Sequence, residues 1–178
     1  LGQQQVVYGN GQALFLFPDP AGEEPLAFSI LARQPHAREI LVIGSGSPDF
    51  RRVLLFGCPD ATITEVEADA GLFKLTAPET LLETTDPSRY HFVKTDPIAF
   101  ALAQPLGFYD LIVLRVPEPS TLGLTRFHTV EFYEVLGRLL RPSGVLWTSV
   151  EATELLGVGT EFLPAAVWKS LRLVFPKV

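Results

Sequence analysis

The chain has 178 residues, enough for one domain with a sizeable core. A formal net charge of -6 excludes the basic footprint of a nucleic-acid or anionic-membrane binder and suits small neutral or cationic ligands. The single cysteine, Cys58, excludes an internal disulfide; with no His or basic residue beside it, it is expected at the edge of the core, and a reducing cytosol is the expected setting.

In chain order, Gln5–Tyr8 and Ala13–Phe17 flank Asn10-Gly11, a pair that favours the positive φ of a tight turn, so the chain is predicted to open on a β-hairpin. Pro18 to Gly22 should break it. Glu23 to Gln34 then spaces Leu26, Ile30 and Leu31 as a helix would. Glu39–Ile43 is an apolar strand that ends on Gly44-Ser45-Gly46. After this turn, Asp49 to Gly57 is predicted as a helix with Ser47 as cap and Pro48 in its first turn. Ala61 to Val66 is predicted as the next strand, closing on the acid Glu67.

Ala70 to Glu83 reads as helical in part, with Pro78 interrupting it. Tyr90–Lys94 alternates as a strand, and Asp96 is positioned to cap a helix running from Pro97 to about Gln104. Tyr109–Leu114 is apolar apart from Asp110, as in the middle of a parallel sheet. A proline-rich loop, Val116 to Thr125, follows. Thr129 to Leu140 is a helix with Val130, Tyr133, Leu136 and Leu140 on one face, closed by Pro142-Ser143-Gly144. Val145 to Val150 is a strand, and Leu163 to Phe175 a last helix.

This order of elements predicts an α/β fold: a hairpin segment over 1–22 and a Rossmann-like nucleoside-binding domain over 23–178, folding as one unit. No apolar run reaches the ~18 residues of a membrane helix, so a soluble, cytoplasmic segment without direct membrane contact is expected. The absence of Met leaves open a longer, membrane-anchored parent. His36, His91 and His128 are scattered, without metal-ligand spacing, and are expected at the surface or as caps; no metal is expected.

Several segments together resemble the spermidine synthase family, whose domain has the class I S-adenosylmethionine methyltransferase type of Rossmann fold. They are Ile40-Leu41-Val42-Ile43-Gly44-Ser45-Gly46, Val66-Glu67-Ala68-Asp69, Tyr109-Asp110-Leu111-Ile112-Val113, the Pro-Glu-Pro-Ser-Thr loop at 117–121, and Phe132-Tyr133-Glu134-Val135-Leu136 with Leu140-Arg141-Pro142-Ser143-Gly144. The resemblance implies a small-molecule nucleoside ligand, decarboxylated S-adenosylmethionine or S-adenosylmethionine, at the carboxyl ends of the strands. It places Gly44 and Gly46 in the cofactor turn, Glu67 on the ribose hydroxyls and Asp96 near the adenine. The plain alternatives are a solvated strand end for Glu67 and a helix cap for Asp96.

The departures from the family are as informative. Ser47, Pro48 and Asp49 replace an Asp and two flexible glycines of the family's turn, which weakens or alters cofactor binding. Asp49 would restore the lost carboxylate from a shifted position or serve as the first-turn acid of the helix. An amine acceptor must lose a proton before it can attack, yet the family's base after the fourth strand is replaced by Arg115, which stays protonated and repels a polyamine. Glu118 is the remaining carboxylate there and the candidate catalytic group, with a loop acid in water as its alternative. On the polyamine side, Glu23-Glu24 stand for two family residues, while Ala27, Phe28 and Ser29 replace a phenol, an imidazole and an acid.

Three readings follow: a divergent domain with weak or absent aminopropyl transfer, an active transferase in which Arg115 binds an anionic acceptor, and a structural or interaction module. The family's closing strand hairpin is not visible before Val178, so the last strand is expected to be a sheet edge, available to a homodimer partner or to further parts of a longer chain.

Overall fold

The computed structural model describes residues 4–9, 12–44, 46–76, 86–117, 119, 121–150 and 162–177. It opens with the antiparallel pair β1 (Gln5–Gly9) and β2 (Gln12–Phe17). Helices and parallel strands then alternate: α1 (Pro20–Leu31), β3 (Glu39–Ile43), α2 (Pro48–Gly57), β4 (Thr62–Glu67), α3 (Ala70–Thr76) and β5 (Tyr90–Lys94). The second half runs α4 (Pro97–Leu102), β6 (Tyr109–Leu114), α5 (Leu122–Thr125), a 3-10 turn at Arg126–His128, α6 (Val130–Leu139), β7 (Leu140–Thr148) and α7 (Phe162–Val174).

The five parallel strands lie in the order β5-β4-β3-β6-β7, so the order reverses next to β3. Helical segments connect the parallel strands, and α1, α2, α6 and α7 pack on the sheet. Alternation along the strands sorts their side chains into two cores. Ile40, Val42, Ile63, Leu111 and Val113 face α1 and α2. Leu41, Ile43, Val66, Ile112 and Leu114 face the other way, against Phe132, Tyr133, Leu136 and Leu139 of α6 and Val167 and Leu171 of α7. With both faces covered, the central strands read as unbroken apolar runs.

Most predicted elements are present, and the shifts have local causes. α1 starts at Pro20 rather than Glu23 because Pro20 suits a first helical position and Asp19 caps it, accepting from the Gly22 N–H at 3.3 Å. The loop expected from Val116 to Thr125 contains α5, which Thr121 caps through the Leu124 N–H at 3.3 Å. Val130 is half-buried, while Phe132 and Leu139 join the buried face of α6. β7 begins directly after α6, so Pro142-Ser143-Gly144 does not precede the strand but lies within it. Tyr109 pairs with Leu140 and Leu111 with Val145, so β7 carries extra residues against β6, and the irregularity absorbs a proline that has no N–H to donate. Asn10-Gly11, Pro78 and Glu118 lie outside the described residues.

Asp110, the acid inside β6, is explained by its partners. Its Oδ2 accepts from the Arg38 and Glu39 N–H groups at 2.8 and 3.0 Å, and its Oδ1 meets Arg141 Nη1 at 2.6 Å. It fastens the entry of β3 to β6 and β7. Cys58 is buried, and burial pushes its thiol up from the usual value. His128 corrects the expectation of a surface histidine: it is buried, with Nδ1 3.1 Å from the Tyr133 hydroxyl and Nε2 3.3 Å from the Pro117 carbonyl. It links the loop after β6 to α6.

Candidate functional site

The carboxyl ends of four adjacent strands lie side by side at one end of the sheet. Gly44 directly follows β3, Glu67 ends β4, Asp96 stands just beyond β5, and Arg115 directly follows β6. This is where an open parallel sheet with a reversal of strand order binds ligands.

Gly44 is required by geometry. Its φ is +90°, and a Cβ there would stand 2.0 Å from the Arg115 carbonyl oxygen. The turn is pinned on both sides, since the Gly44 N–H donates to the Val66 carbonyl at 3.0 Å and the Arg115 N–H to the Ile43 carbonyl at 2.8 Å. At Gly46 a Cβ would meet the edge of the Phe50 ring at 3.1 Å and Arg51 Cγ at 3.7 Å. Ser47 caps α2 by accepting from the Phe50 N–H at 3.1 Å, as its sequence position suggested.

Beneath this turn lies a cluster of buried polar groups that periodicity alone did not bring forward. Glu65 has the same strand parity as Ile63 and so points into the core against α2, where it is 1% exposed. Arg51, also 1% exposed, meets it with Nε to Oε2 at 2.8 Å and Nη2 to Oε1 at 2.6 Å. The Tyr90 hydroxyl donates to Oε2, and the Gly46 N–H approaches Oε1 at 3.4 Å. Burial works against the Arg51 charge, but the hydrogen bonds and charge of Glu65 outweigh it and hold the guanidinium protonated. Burial, reinforced by the Glu65 charge, drives the Tyr90 phenol well above its usual value. The usable sequence signal was a charged residue at a core parity of β4, which demands a partner.

The half-exposed Glu67 accepts from the Asp69 N–H at 2.8 Å, and Asp69 in turn accepts from the Gly71 and Leu72 N–H groups at the start of α3. Asp96 caps α4, its Oδ1 accepting from the Ile98 and Ala99 N–H groups at 3.0 Å each, while its Oδ2 pairs with Arg126 at 2.6 Å. Burial raises its carboxyl, but the Ala99 N–H and Arg126 prevail and hold it below the usual range. The two acids therefore end neighbouring strands, on the same side of the reversal.

Asp49 is placed otherwise. It is buried in the first turn of α2, where its Oδ2 accepts from the Asp19 N–H at 2.7 Å and its Oδ1 lies 3.3 Å from Arg52. It joins the caps of α1 and α2. Arg115 continues the parity of Leu111 and Val113 and turns toward α1 and α2. Its Nη1 and Nη2 donate to the two oxygens of Glu23 at 2.7 and 2.8 Å, and its Cζ stands 4.4 Å from the centre of the Phe50 ring. The fork that the sequence offered to an anionic acceptor is thus engaged with Glu23. Glu24, next to it, pairs with Arg52 at the surface. Among the described residues no group of His, Cys, Asp and Glu could hold a metal ion, and no helix is long and apolar enough to cross a membrane.

Comparison with known proteins places this geometry. No family model matches the chain. Polyamine aminopropyltransferase 2 of Streptomyces coelicolor is 30% identical over 117 residues, 63% of this chain and 21% of that protein. The polyamine aminopropyltransferase of Mycobacterium tuberculosis is 29% identical over 146 residues, 78% of this chain and 26% of that protein. The chain is spermidine synthase-like. The spermidine synthase-like chain spans about a quarter of these relatives' length. Its fold agrees with solved structures. A spermidine synthase in complex with the transition state analogue AdoDATO superimposes with a TM-score of 0.72 at 20% identity, over 94% of this chain and 56% of that one. Human methyltransferase-like protein 13 in complex with SAH gives 0.64 at 22% identity, over 85% and 71%. The fold is therefore the Rossmann-like methyltransferase fold behind a small hairpin.

Proposed function

We propose that this spermidine synthase-like domain keeps a site for an S-adenosylmethionine-type nucleoside and has weak or absent aminopropyl transfer. The ligand lies over the Gly44 turn with its ribose on Glu67 and its adenine toward Asp96. Two neighbours in the comparisons hold AdoDATO and SAH, which supports a ligand of this class. The observation that carries the reading is the state of Arg115. A transferase acting on an amine needs a carboxylate or imidazole to take the ammonium proton; beside the β6 end this chain offers a guanidinium already paired with Glu23. Glu118 remains the candidate for any residual proton transfer. An anionic acceptor is disfavoured by the same pairing. The domain acts in the cytoplasm, on a small molecule rather than on nucleic acid, and pairs through its sheet edge with a second copy or with further parts of a longer chain.

Calorimetric titration with S-adenosylmethionine, its decarboxylated form and methylthioadenosine tests the site, with Glu67→Ala as control. Binding that the substitution abolishes supports it. Absence of binding to all three would refute it, and aminopropyl transfer to putrescine at ordinary enzyme rates would refute the divergent reading.

A further inference from the structure

The surroundings of the Arg115 guanidinium have the composition of a receptor for a small organic cation. Both oxygens of Glu23 face it in a fork-to-fork arrangement, and the Phe50 ring lies against it at 4.4 Å. A paired carboxylate and an aromatic face are the two partners that together select a guanidinium or alkylammonium. The side chains are 13% and 9% exposed, so the charge pair is largely desolvated. The walls are also held from behind. Phe50 is fully buried, and its N–H is fixed by Ser47. Glu23 sits in the first turn of α1, with its own N–H on the Asp19 carbonyl, and the Asp19 N–H is bound by Asp49. Apart from Arg115 itself, which enters from the carboxyl end of β6 on the crevice side, these supports come from α1 and α2.

We propose that Glu23 and Phe50 form a cation site and that Arg115 is its internal occupant. The chain thereby fills, with its own guanidinium, the place where a free alkylammonium or guanidinium ligand would otherwise bind. The inference deepens the reading of the same crevice given above, because what it excludes is a cationic acceptor. Removing the fork opens the site.

The test uses Arg115→Ala and Arg115→Met, the second keeping an apolar stem along Phe50 while deleting the charge. Each is titrated with methylguanidinium and with putrescine at constant ionic strength, by calorimetry and thermal unfolding. Methylguanidinium is expected to bind both variants at least tenfold more tightly than the unsubstituted chain and to raise the melting temperature of Arg115→Ala toward the starting value. The added substitution Glu23→Gln should abolish both effects. Equal responses in the unsubstituted chain, or binding that survives Glu23→Gln, would overturn the proposal. Should Arg115→Ala not fold alone, methylguanidinium must restore its folded fraction; failure there, with no binding to Arg115→Met, also overturns it. No nucleoside is present in these titrations, so their failure leaves the nucleoside site standing, and a failed nucleoside titration leaves the cation site standing.

Discussion

The charged groups at the rim of the sheet and those beneath α1 and α2 are held in opposite ways. On the β4 and β5 side, Glu67 and Asp96 stand at the rim, and the Asp96–Arg126 pair has side chains 39% and 46% exposed. Under α1 and α2, Glu65 with Arg51 and Glu23 with Arg115 are ion pairs shut into the core or nearly so. A solvent-exposed pair is worth only about 0–1 kcal/mol, so a ligand displaces it at little cost. Taking one partner from a buried pair costs about 3–5 kcal/mol, because the other charge is left without compensation. Similar chemistry therefore makes the rim pair weakly held and the buried pairs costly to break. The rim carboxylates can be changed without stranding a buried charge, whereas the buried ones cannot.

The largest expected effect breaks a buried pair. Glu65→Ala strands the Arg51 charge in the core and removes the acceptor of the Tyr90 hydroxyl; a loss of about 3–5 kcal/mol is expected, read as a lowered urea midpoint. A domain of this size has only about 5–15 kcal/mol in total. The double replacement Arg51→Met with Glu65→Leu should recover most of the loss, since a well-packed apolar pair avoids the desolvation cost. If Glu65→Ala changed the midpoint by less than the error of the fit, the buried cluster would not be a structural floor under the turn.

How much of this was readable beforehand follows from the range of the interactions. β3, α2, β5, β6 and α6 rest on apolar periodicity and, for α2, on Ser47 as cap, all local signals, and they stand close to where the sequence put them. Gly44, Glu67, Asp96 and Arg115 could be placed at one end of the sheet because each follows a strand. Their partners could not be read. Glu23 lies 92 residues before Arg115, and nothing in the spacing announces that one will satisfy the other. Asp49 shows the same limit: its first-turn position was visible, its bond to the Asp19 N–H was not. β7 was mistimed because Pro142-Ser143-Gly144 reads as punctuation, whereas pairing with β6 carries the strand through it.

A smaller effect distinguishes the other end of the sheet. Burial raises the Asp110 carboxyl, but the Glu39 and Arg38 N–H groups and Arg141 outweigh it, so its folded value lies below the usual one. An acid lowered on folding contributes stability above its unfolded value, about 3.9, and loses it as pH falls through the folded value. Asp110→Asn is therefore expected to lower the urea midpoint at pH 7, and the gap between the two proteins should close in acid. A gap that persists unchanged at pH 2 would mean that Asp110 acts by shape rather than by charge.

The smallest effect on stability belongs to the rim, and there binding must carry the comparison. Glu67→Ala removes a half-exposed carboxylate that accepts from the Asp69 N–H, so the midpoint should move by about 0.5 kcal/mol or less. Asp96→Ala should cost about 1 kcal/mol, as the loss of a helix cap does. Restoring the cap with Asp96→Ser keeps acceptors for the Ile98 and Ala99 N–H groups while deleting the charge. If Asp96 serves only α4, Asp96→Ser should bind S-adenosylmethionine as the unsubstituted chain does. If it also meets the adenine, affinity should fall at least several-fold while the urea midpoint stays in place. That separation of binding from stability is what an open rim allows, and the ion pairs at Glu65 and Glu23 do not: removing either of those carboxylates disturbs the fold and the crevice together.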